Sequence, residues 1–436
     1  MENLALELNT ILDGTIAGRL LSNLGRRIFF PQGIIAQSSE AKKSARRANA
    51  TIGMAFDGGK PLILSAVAES MSGLRPEETV VYAPTAGIEP VRRMWKETMI
   101  LKNPSLKAGG ISLPAVVPGI TAGISYTADL FLDEGRPMLV CVPCWDNYSL
   151  IFKERRGAAL REIPIFGSGP GLDMTAIEKA VREAAKTGAV RIIFNFPNNP
   201  SGYSPTRDEA DRLERIVLEA AEEGADVLAI CDDAYFGLFY EEETEKESLF
   251  GRFAALHDRV LAVKIDGPTK EDYVWGFRTG FLTFGSRGME AASYQALEKK
   301  LLGIIRSSVS CANTAAQSIT VKTLADPRSA GEKDRYRALL KNRYLAVKRF
   351  IALNPAHPAL IPLPFNSGYF MSFLCSGIHA ETLRQELLHR HGIGAIALGD
   401  RILRIAFSSL EEDQIPGVYR LIYDTAGELL PLASSQ

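Results

Sequence analysis

The 436-residue chain has little of what marks a specialised protein class. Its cysteines are only five, Cys141, Cys144, Cys231, Cys311 and Cys375, an odd, sparse set that argues against a disulfide scaffold and for a reducing compartment. Cys141 and Cys144 form a C-x-x-C, but no second Cys/His pair stands at metal spacing, so packing cysteines and no metal site are expected. Charge of one sign is missing too: 50 basic residues against 51 acidic ones leave −1, which removes any general attraction to nucleic acid or to an anionic membrane. No apolar run reaches a bilayer-spanning length, and Met1-Glu2-Asn3 opens no basic-then-apolar leader, so the expectation is a cytoplasmic protein. Repeats and low-complexity tracts are absent. The clusters Glu241 to Glu243 and Lys42, Lys43, Arg46, Arg47 are short enough to be solvated surface.

What is present is an ordinary globular composition, 46% hydrophobic and 23% charged, over a length that implies two domains. The middle of the chain alternates helix-like and strand-like segments. Asp173 can cap a helix with apolar positions Ile177, Ala180, Val181 and Ala184, ended by Gly188, and the run Val190 to Phe196 then reads as a buried parallel strand. A helix over Thr206 to Glu223, a strand over Val227 to Cys231 and a third strand over Val260 to Ile265 come next. This alternation predicts an α/β fold with a doubly wound, mostly parallel sheet. Near residue 325 it gives way to charged, helix-favouring sequence from Glu332 to Lys348, where a second, smaller α+β domain is placed.

In open parallel sheets ligands sit beyond the carboxyl ends of the strands. Three successive strands here run into Asn195-Phe196-Pro197-Asn198-Asn199-Pro200-Ser201-Gly202, into Asp232-Asp233-Ala234-Tyr235 and into Gly267-Pro268-Thr269-Lys270. Taken singly these are an ordinary turn, a helix cap and a surface lysine. Together they are the set that pyridoxal phosphate (PLP) chemistry needs: a lysine amine to form a Schiff base with the aldehyde, a carboxylate to keep the pyridine nitrogen protonated, and donors near the ring hydroxyl. Lys270, Asp232, Asn199 and Tyr235 fit those roles. A phosphate needs a Gly-rich turn at a helix start and a cation. Gly119-Ile120-Thr121-Ala122-Gly123, ahead of the helix-like run Ile124 to Leu132, offers the first, and Arg278 in Lys-x5-Gly-x-Arg-x-Gly the second.

On Asn199-Pro200-x-Gly202, Asp232-x-Ala234-Tyr235, Lys270 with Arg278-x-Gly280, and Arg404-Ile405-Ala406, the chain resembles the fold-type I PLP aminotransferases of class I/II, in the aspartate and aromatic group. The resemblance implies a large PLP-binding domain over 61–324 and a small domain made from 1–60 and 325–436. It implies that Arg404 grips the substrate α-carboxylate, with a surface arginine as the plainer alternative, and that Trp145 stacks on the cofactor ring rather than merely filling a core. Tyr82, in Tyr82-x4-Gly87-x4-Arg92, is similar to the tyrosine that reaches the neighbouring subunit's phosphate, which implies a homodimer with sites completed across the interface. Arg306 is similar to the arginine that binds a distal carboxylate, implying a dicarboxylic amino acid such as aspartate or glutamate, against the alternative of a solvated helix arginine. Ile52-Gly53 resembles the family's N-terminal loop that closes over substrate, and Asn366-Ser367-Gly368-Tyr369-Phe370 resembles the segment beside the carboxylate-binding arginine.

Three departures stand out: Gly267 and Gly119 occupy positions where the family often has phosphate-binding serines, and Tyr148 replaces a histidine behind the carboxylate, leaving the support of Asp232 open. The expected reaction is ping-pong transfer of an amino group from an L-amino acid to a 2-oxo acid, with Lys270 moving the Cα proton. A PLP lyase or decarboxylase is the alternative on the same fold. A PLP-sensing regulator is disfavoured, since no basic reading head precedes the matched region.

Overall fold

A computed structural model describes residues 2–31, 33–106, 110–354 and 356–430. Among strands of three residues or more, the central sheet is built from β1 (Ala115–Val117), β2 (Pro137–Val142), β3 (Ala159–Pro164), β4 (Ala189–Asn195), β5 (Asp226–Asp232), β6 (Val260–Asp266) and β7 (Gly280–Gly285). Their order is β1-β7-β6-β5-β4-β2-β3, parallel from β6 through β3, with β7 antiparallel to both of its neighbours. The apolar runs that mark β4, β5 and β6 are buried on both faces, which is why they read as continuous rather than alternating.

The helices that matter below are α1 (Glu89–Lys102), α2 (Ile120–Phe131), α3 (Met174–Ala185), α4 (Arg207–Glu222), α5 (Pro268–Glu271), α6 (Ala291–Ser308), α7 (Arg328–Leu353) and α8 (Ile415–Glu428). Local chemistry sets their starts. Asp173 accepts from the Ala176 N–H at 2.9 Å to cap α3, and Thr206 with Glu209 forms a capping box on α4, a device that contributes about 1 kcal/mol. One face of α3 and α4, including Ile177, Val181, Leu213 and Val217, buries against β4 and β5; each such side chain stabilises by roughly 1.5–3 kcal/mol. On the opposite face, α2 and α6 pack together, joined by Tyr126 Oη and Ser308 Oγ at 2.7 Å.

A second, four-stranded antiparallel sheet is formed by β8 (Leu360–Pro362), β9 (Phe370–Cys375), β10 (Ile396–Leu398) and β11 (Ile402–Ala406), in the order β8-β9-β11-β10. Its core draws on residues from both chain ends, Ala48 to Val67 and Tyr336 to Ala426. The early segment is stitched on by Ala50 N–H to Gly394 O and Ala406 N–H to Ala50 O. That stitching carries residues 51–53 across to the end of β11, and so to Arg404. No helix among the described residues is long and apolar enough to cross a membrane.

Candidate active site

Register brings the strand ends level. Asn195 at the end of β4 lies opposite Asp232 at the end of β5, and Asp232 lies opposite Ile265, two residues before Gly267. The loops beyond enclose a cavity of about 220 Å³ lined by Ile120, Thr121, Trp145, Asn195, Asn199, Asp232, Ala234, Tyr235, Thr269, Lys270 and Arg278. A side chain from each of three strand ends, the first turn of α2 and the β6–β7 connection therefore face one space.

Asp232 is buried, and burial pushes its carboxyl up to about 6, against the Tyr148 hydroxyl and the Lys270 amine, which favour the charged form. Tyr148 Oη donates to Asp232 Oδ2, so the position left open by the missing histidine is filled by a phenol. The second carboxylate oxygen accepts the Ala234 N–H at 3.3 Å. Lys270 sits on α5 with its amine 4.9 Å from the Tyr235 ring centroid, and burial draws that amine down to about 8 although Asp232 acts the other way. A base and an acid with pKa values moved toward neutrality from opposite sides mark a site of proton chemistry.

Arg404 is 2% exposed. It donates from Nη1 to Asn199 Oδ1 and from Nη2 to Thr51 O, both at 3.0 Å, lies 4.3 Å from the Phe370 ring centroid, and its Nε is buried without a hydrogen-bond partner among the described residues. Burial lowers its pKa to about 10. Asp146 acts on it through space, but no carboxylate among the described residues lies within ion-pair distance of this buried guanidinium, and a bonded carboxylate is what a ligand would bring. Beside it, a Cβ on Gly53 would stand 3.3 Å from Tyr235 Oη, so the early segment reaches the same place.

The phosphate end explains two departures. Helix α2 begins at Ile120, not Ile124, so Ile120 and Thr121 belong to its first turn, where N–H groups have no intrahelical acceptor. Gly119 has φ +92, and a Cβ there would come within 2.7 Å of Arg278 Nη2. A Cβ on Gly267 would come within 2.7 Å of Thr279 O, and one on Gly280 within 2.8 Å of the Gly119 carbonyl carbon. Three backbones thus converge where serine side chains do not fit, and Arg278, itself held at φ 55, delivers its guanidinium into the space. The residues present fit a pyridine aldehyde phosphate: a free amine, a carboxylate, a helix N-terminus with a cation, and the Trp145 indole.

Some expected residues lie elsewhere. The Ala122 N–H turns back to Gly119 O at 3.1 Å, and Ala122 is not among the cavity's lining residues. Tyr82 is 89% exposed, and Arg306 stands exposed in the last turn of α6; within one chain neither lines the cavity. Sequence reasoning passed over Asn195, whose amide donates to Asp232 O at 3.0 Å and accepts the Asn199 N–H at 2.9 Å, and Thr269. Asn195 had a signal, its place as the first polar residue after an apolar strand.

A family model described as aminotransferase class I and II matches residues 55–420. The chain belongs to the class I and II aminotransferases, a family of PLP-dependent transaminases. An aspartate aminotransferase of Thermococcus kodakarensis is 26% identical over 361 residues, covering 81% of this aminotransferase and 84% of that protein. An LL-diaminopimelate aminotransferase of Oleidesulfovibrio alaskensis is 23% identical over 199 residues, 43% of this chain and about half (48%) of that protein's length. Among solved structures, an aminotransferase of Anaerococcus prevotii superposes with a TM-score of 0.81 at 23% identity, covering 92% of this aminotransferase and 98% of that chain. A Thermus thermophilus aspartate aminotransferase mutant does so at 0.71 and 20%, over 93% and 98%. These superpositions establish the fold, with its mostly parallel central sheet.

Proposed function

We propose that this aminotransferase moves the amino group of a dicarboxylic L-amino acid to a 2-oxo acid, with Lys270 as the proton-transfer group and Arg404 as the α-carboxylate site. The observation that carries the reading is the cavity in which Lys270, Asp232 and Asn199 meet, with the buried Arg404, which no carboxylate among the described residues pairs at ion-pair distance, one hydrogen bond from Asn199.

Bound PLP supplies an electron sink that makes the Cα–H bond of a joined amino acid acidic. The protein does the rest. Arg404 fixes the α-carboxylate through its planar fork and so orients the Cα–H bond. Lys270, whose amine titrates at about 8, takes the Cα proton when neutral. Asp232, held by Tyr148 and the Ala234 N–H, would keep a proton on the pyridine nitrogen of the bound cofactor. Of the residues lining the cavity, Arg278, Ile120 and Thr121 would hold the phosphate, Trp145 would pack on the ring, and Tyr235 and Asn199 would donate to the ring hydroxyl.

Tyr82 and Arg306 belong to the same proposal through a homodimer. Both are exposed, and the Arg306 guanidinium has no carboxylate partner among the described residues, which supports a role toward a neighbouring subunit's site. The Thermococcus kodakarensis relative, named an aspartate aminotransferase, supports the dicarboxylate preference. Division into 1–60 with 325–436 and 61–324, closure of the Gly53 segment, and cytoplasmic operation, supported by five free cysteines, complete the reading. Arg306→Ala tests the substrate class: kcat/KM for aspartate or glutamate should fall about 10- to 100-fold, the value of one charge-assisted pair, with alanine little changed. Equal losses on both donors would remove the dicarboxylate assignment.

A further inference from the structure

The two residues after Lys270 are acids, Glu271 and Asp272, and both are turned away from the cavity into a charged joint. Glu271 pairs with Lys102, the last residue of α1, and Asp272 pairs with Lys333 on α7. Asp272 is 2% exposed, and its Oδ2 has no hydrogen-bond partner among the described residues, so Lys333 supplies its compensating charge.

Lys333 is not alone. Tyr336 and Arg337, three and four residues on, share its helical face. The Tyr336 ring meets the Tyr273 ring edge-on with centroids 5.1 Å apart, and Arg337 Nε donates to Gly237 O at 3.1 Å. A single face of α7 thus contacts Asp272, Tyr273 and the neighbouring loop. Further along, Arg343, 2% exposed, donates from Nη1 to Ser408 O and from Nη2 to Glu411 Oε2, both at 2.7 Å. Ser408 lies just after β11, the strand that carries Arg404. Ten residues of helix separate Lys333 from Arg343, a rigid span of about 15 Å.

We propose that α7 is a spacer that fixes the Lys270 amine relative to the Arg404 guanidinium, with Lys333, Asp272 and Arg343 as positioning residues. This rests on the reading of Lys270 as the proton-transfer group and Arg404 as the carboxylate site. The physical demand is clear: a carboxylate anchored at one end and a proton removed at the other need both groups in register, and a displacement of about 1 Å costs roughly 100-fold in rate.

The test compares Lys333→Met, Asp272→Asn and the double variant with wild type. Decay of the cofactor's visible band on adding a donor amino acid gives the limiting rate and half-saturation, and a Cα-deuterated donor gives the isotope effect. Amide exchange of residues 268–273 in the cofactor-free protein gives the anchoring itself. The single variants should lose about 10-fold or more in limiting rate with a larger isotope effect, while half-saturation stays within about threefold. Exchange of 268–273 should quicken. In the double variant the unpaired buried charge is gone and thermal stability should recover, but rate and exchange should not. Recovery of rate along with stability, or a loss confined to half-saturation, would overturn the spacer. If Lys333→Met does not fold, Arg337→Gln loosens the same face, with quicker exchange and a smaller rate loss expected; wild-type values in both would also overturn it. A wild type that shows no visible band with PLP defeats the functional reading instead, and the exchange comparison still judges the anchor.

Discussion

Lys270 and Glu271 are chain neighbours on one short helical turn, both half-buried, yet their titrations are pulled in different ways. On the cavity side, Lys270 has one nearby carboxylate and burial prevails, so the amine falls to about 8. On the opposite side, burial acts on Glu271 as well, but Lys102, Lys333 and Arg337 outweigh it and hold the carboxyl down at about 2. Burial alone therefore does not set the charge state; the count of opposite charges does. The side that carries chemistry is left under-compensated; on the side that carries position the lysines hold Glu271 charged, while burial still raises the Asp272 carboxyl against Lys333.

The sharpest way to break this contrast is Lys270→Met, which retains much of the side-chain volume and removes the amine. The donor half-reaction should fall by roughly 10⁴-fold, at the upper end of what a positioned acid–base group supplies. The cofactor-free variant should be no less stable than wild type, because folding lowers the Lys270 pKa from 10.5 to about 8, a cost of about 3 kcal/mol at neutral pH. A large drop in melting temperature would place Lys270 with the structural charges. Next in size, Arg404→Lys should lose about 10- to 100-fold in kcat/KM, mostly through KM, since an ammonium cannot reproduce the fork that spans Asn199, Thr51 and a carboxylate. A loss in kcat alone would move Arg404 out of ground-state binding.

How much of this was legible beforehand tracks the same division. The strands over 189–195, 226–232 and 260–266 announced themselves because parallel strands are apolar throughout, and the polar residues just past their carboxyl ends stood out against those runs. Tyr148 was visible only as a departure, because its bond to Asp232 joins residues 84 positions apart that no local pattern links. The start of α2 was placed four residues late because Gly119 and Gly123 both read as turn residues, whereas Gly123 is buried in helix, where a Cβ would meet Ile265 Cγ2 at 2.7 Å. The joint behind Lys270 was not legible at all, since Lys102, Glu271, Asp272 and Lys333 look like solvated charges until the fold pairs them.

Tyr148→Phe gives a smaller effect with a defined sign. The hydroxyl lowers the Asp232 pKa against burial, so its loss should raise that pKa further, and the acid limb of the pH–rate profile should move to higher pH, with about a 10-fold loss at pH 6. An unmoved limb would show that Tyr148 merely packs. Separate from activity is the pH dependence of stability in the cofactor-free protein. Between pH 3.8 and about 6 folded Asp232 holds a proton that the unfolded carboxyl has lost, so its contribution should make stability fall as pH rises. Between about 8 and 10.5 the unfolded chain holds the Lys270 proton that the folded one has lost, and stability should rise. Asp232→Asn and Lys270→Met should each flatten their own window and leave the other, as read by denaturant melts across pH.

The most direct test of the central claim is the visible spectrum of the purified protein reconstituted with PLP. Wild type should show the band of cofactor joined to Lys270, and that band should disappear on adding an amino donor and return on adding a 2-oxo acid. Lys270→Met should not show it. A band of equal intensity in Lys270→Met, or a wild-type band indifferent to every donor, would contradict the assignment of Lys270 and the chemistry built on it.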